Sequence, residues 1–336
     1  MNLVIRVTIK IAKSSGDNDL FVHASEYTNK KNKMIVSALM KMKCYNVPMR
    51  IAIFGARGFI ARAFIQSAPK EHELFLFSRP EADVRNPKTF SQKLKDIRPD
   101  VVVNLAAKIG TLLSDVPVRE MFEINTMGSL NVASVACEAG AKSYIYTSST
   151  VVHGENKTSE HHGRFSGFAP KHPYSASKAA AEYGLEQFSK EQGGMIIVTV
   201  RPPMVIGEGV GVPLPPIEFV RDAVQRKEIT IFGEGLHERE YVSVRDVARG
   251  IWKTVDWSIS ADRGYYPFFL TGNRISMRDL AEKVVKKFGG KIIYKPATKQ
   301  TFSLTTDPTE TKRFLDWEVS DDLDWILDDV ARYAVP

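Results

Sequence analysis

From residue 50 onward, apolar residues gather in short runs separated by longer amphipathic stretches. Arg50–Phe54, Glu73–Phe77, Val101–Leu105, Ser143–Thr147 and Met195–Val200 are such runs, rich in Val, Ile, Phe and Tyr, and they read as strands. The stretches between them predict helices from Gly58 to Gln66, near Pro87–Ile97, near Val116–Ala139 and over Tyr174–Glu191. Val and Ile runs without alternation suit strands covered on both faces, as in a parallel sheet. The repeated strand-helix order therefore predicts an α/β fold built on a doubly wound parallel sheet. Beyond Arg201 the pattern loosens into Pro/Gly-rich loops, with helices near Pro216–Arg226, Val244–Val255, Met277–Phe288 and Asp321–Tyr333.

Residues 1–48 follow another pattern. Met1–Lys13 alternates like a short strand, Ser14–Asp19 is turn-like, and Met34–Met42 has the spacing of a short amphipathic helix. This leader carries five of the seven excess positive charges of the 336-residue chain. The body is nearly neutral, which argues against nucleic acid as a partner. Met49 directly precedes the first strand, and the expectation is a native start there with a dispensable basic leader. No apolar run is long enough for a spanning helix, so no membrane partner is expected. Cys44 and Cys137 are the only cysteines, which excludes a disulfide framework and fits a reduced, cytoplasmic setting.

The first strand runs into Gly55-Ala56-Arg57-Gly58-Phe59-Ile60-Ala61, a G-x-x-G-x-x-A loop that opens a helix. Gly55 suits a tight turn, Gly58 a close approach of backbone to a pyrophosphate, and Ala61 close packing of helix on sheet. The helix N-terminus offers amide donors and positive potential to phosphates. This is the Rossmann arrangement for a dinucleotide. An Asp or Glu often ends the second strand to hold the ribose of NAD; here Ser78-Arg79 stands there, with Arg57 in the loop. Two arginines without a carboxylate lean toward NADP over NAD. The expected division is 49–202 plus about 241–258 for the dinucleotide-binding domain, and 203–240 plus 259–336 for a smaller substrate-binding domain.

Tyr174-Ser175-Ala176-Ser177-Lys178 is Y-x-x-x-K at the start of a predicted helix, which puts Tyr174 and Lys178 on one face. A neighbouring ammonium is expected to lower the phenol pKa and fit Tyr174 for acid/base work. Ser149, just past the strand Ser143–Thr147, offers a hydroxyl to a reacting oxygen. No metal is expected: His153, His161, His162 and His172 read as solvated histidines without a carboxylate set.

These motifs resemble the extended short-chain dehydrogenase/reductase family, which includes nucleotide-sugar epimerases, dehydratases and ketoreductases. The resemblance runs through most of 49–336. It is carried by Gly55/Gly58/Ala61, Asp83-Val84, Asn104-Leu105-Ala106-Ala107, Asn125 with Gly128, Ser148-Ser149, Gly154, Tyr174/Lys178, Arg201-Pro202 and Arg239-x-x-x-x-Val244-x-Asp246. It implies that Tyr174 is the acid/base, that Lys178 holds the nicotinamide ribose, and that Ser149 orients the substrate oxygen with Thr150 beside it. It implies that Asn125 is a structural part of the active site and that Asp83-Val84 meets adenine, with Leu105, Ala106 and Ala107 also at the cofactor. Arg239 would meet the diphosphate of a nucleotide-sugar; the alternative is an ion pair with Asp246 or Glu240. A homodimer is expected from the same resemblance.

Thr150-Val151 follows Ser149 where 4,6-dehydratases carry Asp-Glu, and Val151 stands where GDP-fucose synthase-like enzymes carry a cysteine. Both chemistries are disfavoured. A 4-epimerase remains, with an NADPH-dependent 4-keto-sugar reductase as the alternative and a non-catalytic redox sensor as the alternative of another class. Met204 stands where such epimerases carry asparagine, and His153 where they carry tyrosine. These departures admit a non-nucleotide alcohol as substrate.

Overall fold

The computed structural model describes residues 48–109, 116–154, 168–192, 194–297, 303 and 306–334. The elements expected in the leader lie outside them. The described residues belong to one unit, Val47–Pro336. Its strands are β1 (Arg50–Phe54), β2 (Glu73–Phe77), β3 (Val101–Asn104), β4 (Ser143–Thr147), β5 (Ile196–Arg201), β6 (Met204–Ile206), β7 (Glu228–Phe232), β8 (Glu238–Ser243), β9 (Gly264–Phe269), β10 (Asn273–Ser276) and β11 (Lys291–Lys295). Its helices are α1 (Phe59–Gln66), α2 (Ser91–Ile97), α3 (Val118–Phe122), α4 (Gly128–Glu138), α5 (Pro173–Gln192), α6 (Pro215–Arg221), α7 (Val244–Ser258), α8 (Met277–Phe288), α9 (Thr309–Leu315) and α10 (Leu323–Ala334).

The main sheet has six strands in the order β2-β1-β3-β4-β5-β9, every pair parallel. The pleat sorts its side chains into two cores. From β1, Ala52 and Phe54 enter one with Phe77, Phe90 and Tyr144, while Ile51 and Ile53 enter the other with Phe64, Val198 and Ile251. Phe54 stacks on Phe77 at 4.7 Å and meets Phe90 edge-on at 4.9 Å. Across the sheet the Trp252 ring stacks on Phe64 at 4.2 Å, and its indole N–H donates to the Phe64 carbonyl at 3.0 Å. That bond satisfies the polar tip of a buried ring and locks α7 onto α1.

The stretch 116–139 is helical as expected but interrupted: a π-helical turn, Glu123–Met127, separates α3 from α4. A second π turn, Asp222–Arg226, ends the segment that begins with α6. Beyond Arg201 there is more strand than the sequence pattern disclosed. β10, β8 and β6 form a three-stranded sheet, and β11 pairs with β7. A third core fills this lobe, with Ile217, Val220, Ile231, Leu280, Val284 and Leu327 among its members.

The expected division needs correcting at 259. β9 is the sixth strand of the main sheet, and Leu315 and Trp317 pack into the core under that sheet. The Trp317 indole donates to the Asp246 carbonyl at 3.2 Å, and the Asp246 carboxylate accepts from the Ser320 and Asp321 amides, both at 2.8 Å. The chain therefore returns to the first lobe twice after leaving it.

Candidate active site

The strand order reverses between β1 and β3. From β1 the chain turns to β2 on one side, and from β3 onward it builds on the other, so the loops that leave β1 and β3 diverge and open a crevice. Gly55 sits at its floor with φ +74°, and a Cβ there would lie 2.6 Å from the Ala106 amide nitrogen. Only glycine fits both the backbone angle and that approach. The Gly58 amide closes the turn on the Gly55 carbonyl at 2.8 Å. Gly58 caps α1 with no side chain on its first amides and no acid in the first turn, so the helix end presents free donors. Ala61 is fully buried, and Phe59 and Ile60 form the first turn of the helix.

A cavity of about 280 Å³ fills the crevice. Gly55, Arg57, Gly58, Ser78, Arg79, Asp83, Val84, Leu105, Ala106 and Ala107 line it, all expected from the sequence, together with Ala82 and Ile124, which were not. Arg57 and Arg79 are both exposed, and the Arg57 guanidinium donates to the Arg79 carbonyl at 3.1 Å. The Asp83 carboxylate is held by Arg85, whose hydrogen bonds keep it below the usual carboxylate range. The charge facing the far end of the cavity is therefore positive. Buried Asn104 shapes the β3 loop by accepting from the Ala106 amide at 3.0 Å and donating to the Tyr144 hydroxyl at 2.8 Å.

The crevice leads to the ends of β4 and α5. Pro173 occupies the first position of α5, and His172 caps it reciprocally with Ser175. The Ser175 amide donates to His172 Nδ1 at 3.3 Å, and the His172 amide donates to Ser175 Oγ at 3.2 Å. Tyr174 follows, half-buried, its ring parallel to that of His172 at 6.1 Å. One turn on, Lys178 is buried, and its ammonium donates to the Thr147 carbonyl at 2.7 Å beside the Tyr146 ring. Ser149, two residues past Thr147, caps a short 3₁₀ turn, Thr150–His153, and accepts from the Val151 amide at 3.4 Å. Thr150, expected beside the substrate, is 2% exposed, and its amide donates to the Pro202 carbonyl.

Asn125 lies inside the π turn. It clamps both backbone groups of Lys108 and donates to Ser177 Oγ at 2.9 Å, while Ser177 donates to the Tyr174 carbonyl at 2.8 Å. The β3 loop and the Tyr174 turn are thus fastened through one buried amide.

The electrostatics differ from the expectation that Lys178 lowers the phenol pKa. Burial pushes Tyr174 up to about 12, and burial drives Lys178 down to about 7, opposed by the charge of Glu182. Desolvation is the cause at Tyr174, and at Lys178 it outweighs the Glu182 carboxylate. Glu182 escaped the motif reading, although its signal is present: it continues the face of Tyr174 and Lys178 one turn further. Its buried carboxylate takes Arg201 Nε at 3.1 and 3.0 Å, Arg201 Nη2 at 2.6 Å, and the Tyr265 hydroxyl at 2.7 Å.

The departures also find places. His153 is buried against Phe168 and Phe269, and its Nε2 lies 3.4 Å from Arg201 Nη1. Arginine only donates, so a hydrogen bond there needs Nε2 as the acceptor. Met204 begins β6 and packs against the core of the second lobe. Arg239 is on β8, and burial lowers its pKa from the usual arginine value. Of its two expected carboxylate partners, Asp246 engages Arg249 and Ser320, and Glu240 engages Thr306. His161 and His162 lie outside the described residues.

The donor set of the cavity fits a dinucleotide: an uncapped helix end over a glycine turn, with two arginines in the lining; Ser149, Tyr174 and Lys178 do not line it. Residues 51–264 match the NAD dependent epimerase/dehydratase family, and the chain belongs to it. Its members include epimerases and dehydratases of the extended short-chain dehydrogenase/reductase type. The chain is 28% identical over 204 residues to a UDP-glucose 4-epimerase of Vibrio cholerae, covering 50% of this chain and 60% of that one. It is 25% identical over 257 residues to a UDP-glucuronate 4-epimerase of Thermodesulfobacterium geofontis, covering 74% and 76%. Its fold is similar to that of UDP-glucose 4-epimerase from Thermotoga maritima, solved with UDP-glucose, at a TM-score of 0.71 and 22% identity over 85% of this chain and 98% of that one.

Proposed function

We propose that this chain is an NAD(P)-dependent 4-epimerase of a nucleotide-activated sugar, with UDP-sugars as the first substrates to try. The observation that carries the reading is the junction of β4 with α5. Lys178 is fastened to the Thr147 carbonyl, two residues before Ser149 and one turn after Tyr174. Ser149 hydrogen-bonds the sugar oxygen, Tyr174 takes its proton and returns it, and the Lys178 charge favours the phenolate while that proton is away. The loop Gly55–Ala61, Asp83, Val84 and Leu105–Ala107 hold the dinucleotide, whose nicotinamide, when bound, accepts and returns the hydrogen of the carbinol carbon. Arg239 meets the diphosphate. Thr150-Val151 after Ser149 supplies no second acid or base, which speaks against water elimination.

Arg57 and Arg79 support NADP over NAD, and with it the second reading, reduction of a 4-keto-sugar by NADPH. Exposed Met127 and Tyr183, next to α4 and on α5, support a homodimer through these helices. The deciding experiment is absorbance and mass analysis of the purified protein together with an assay on UDP-sugars. Retained NAD(P) and interconversion of 4-epimers without added cofactor is expected. An empty protein that oxidises NADPH only with a keto-sugar would replace the epimerase by the reductase.

A further inference from the structure

The catalytic face of α5 runs on past Lys178 to a charged residue that the reaction scheme does not use. Tyr174, Lys178 and Glu182 recur at one-turn intervals, and Lys178 and Glu182 are both buried. A buried ammonium hydrogen-bonded to one carbonyl lacks the solvation that water gives it, and an anion is needed nearby to offset that loss. The groups around Lys178 can be taken element by element. β4 offers the Tyr146 ring and the Thr147 carbonyl. The segment before α4 carries Glu120 and Glu123, which bridge to Lys108 and Arg119. The 3₁₀ turn brings His153, which lies against Arg201; β5 brings Arg201, and β9 brings Tyr265, these last two bound to Glu182. Further along α5, Glu186 bridges to Lys190.

Glu182 is thus the anion on the helix of Lys178 and one turn away from it. Its own burial is compensated from the opposite side: the Arg201 guanidinium takes both carboxylate oxygens and is flanked by the Phe168 and Phe269 rings at 5.1 and 5.2 Å. A carboxylate so bound is fixed in place and cannot swing away.

We propose that Glu182 is a positioning residue for Lys178: its carboxylate, clamped by Arg201 and Tyr265, keeps the buried ammonium charged on the Tyr174 face of the helix. The direction of its influence agrees, because Glu182 raises the proton affinity of Lys178 against burial. The inference rests on the reading of Lys178 as a cofactor ligand, and it assigns a role to a residue that never touches substrate or cofactor. It also explains why one guanidinium is fully buried in the main sheet.

The test is the pH dependence of NADPH binding to the full chain, followed by quenching of protein fluorescence. Wild-type affinity is expected to fall as pH rises and Lys178 loses its proton. Glu182→Gln is expected to move that midpoint down by about 1–3 pH units. Because the single change strands a buried guanidinium, the double variant Glu182→Gln/Arg201→Met keeps the test open, and its midpoint is also expected below wild type. Tyr265→Phe removes one hydrogen bond from the same cluster but keeps the carboxylate, and is expected to leave the midpoint in place. A double-variant midpoint equal to wild type, or a Tyr265→Phe shift as large as that of Glu182→Gln, overturns the proposal. Failure of the wild type to bind NADPH or NADH at any pH overturns the cofactor reading, and this proposal with it.

Discussion

The side-chain amide of Asn125 binds both backbone polar groups of Lys108: Oδ1 accepts from the Lys108 amide at 2.7 Å, and Nδ2 donates to its carbonyl at 2.9 Å. One residue thereby completes a hydrogen-bonded pairing that no strand supplies to the loop after β3. Asn125→Ala leaves those two backbone groups without their partner, at about 1–3 kcal/mol each, and leaves the Ser177 hydroxyl only its bond to the Tyr174 carbonyl. A fall in Tm of several degrees with loss of cofactor affinity is expected, measured by calorimetry and by fluorescence titration. An unchanged Tm would mean that the π turn repacks without the amide.

Gly55→Ala should separate backbone geometry from chemistry. The new methyl would meet the Ala106 amide at 2.6 Å in a left-handed conformation. The expected outcome is loss of NAD(P) binding together with lower stability, since turn and neighbouring loop must both shift. A substitution that preserved nucleotide affinity in a binding titration would contradict the role given to this turn.

Tyr174→Phe is expected to lower turnover by about 100- to 10,000-fold while the protein still binds cofactor. Steady-state rates and a parallel binding titration check it. Turnover at the wild-type level would remove Tyr174 from the reaction.

The proposed preference for NADP rests on the charge of Arg57 and Arg79 in the cavity lining. Arg57→Ala/Arg79→Ala should weaken NADP binding more than NAD binding. Each lost charge-assisted hydrogen bond to a 2′-phosphate amounts to about 1.5–3 kcal/mol, or about tenfold or more in affinity. The ratio of the two dissociation constants, wild type against variant, is the measurement; a ratio that does not move assigns both arginines to the protein surface.

The cap of α5 is expected to make stability fall on acidification. Burial lowers the pKa of His172, whose Nδ1 must be unprotonated to accept from Ser175. Above the ordinary histidine value, about 6.5, both folded and unfolded chains hold it neutral and nothing is lost. As pH falls from there through the lower folded value, the unfolded chain takes the proton first and stability declines. His172→Asn, which caps without titrating in this range, should flatten that part of a Tm-against-pH curve. An equally steep curve in the variant would place the acid sensitivity elsewhere, with His237, also lowered by burial, as the next group to change.

The inner strands β1, β3, β4 and β5 were readable because they are buried almost throughout and are rich in apolar residues, as Val101-Val102-Val103 shows; the edge strands β2 and β9 are partly exposed, and β9 was missed. The second lobe was not readable, for a physical reason. β8 carries Glu238 and Arg239 among its residues, and Glu238 is neutralised across the sheet by Arg274 of β10, a partner that local periodicity cannot reveal. β11 is partly exposed and is a strand because β7 lies beside it. At the site, Tyr174 and Lys178 were legible because they act within one turn of one helix. Glu182 shared that spacing but gains its meaning only from Arg201 and Tyr265, which arrive from two other strands. The expectation for the Tyr174 phenol left out burial, because a spacing conveys the neighbouring charge and omits the loss of water.

The late return of β9 to the sheet bears on synthesis. β5 is buried along its whole length, and its outer edge is covered only by a strand made after the intervening β6, β7, β8 and α7. A nascent chain released after Arg201 would expose an apolar edge with open amides and carbonyls, a template for strand addition by other chains. Fragments that end between β5 and β9 should therefore aggregate, whereas those that extend past Phe269 can close the sheet. The two lobes are in this sense one folding unit, because β6, β7 and β8 of the second are spun out between neighbouring strands of the first and the rest of it follows β9.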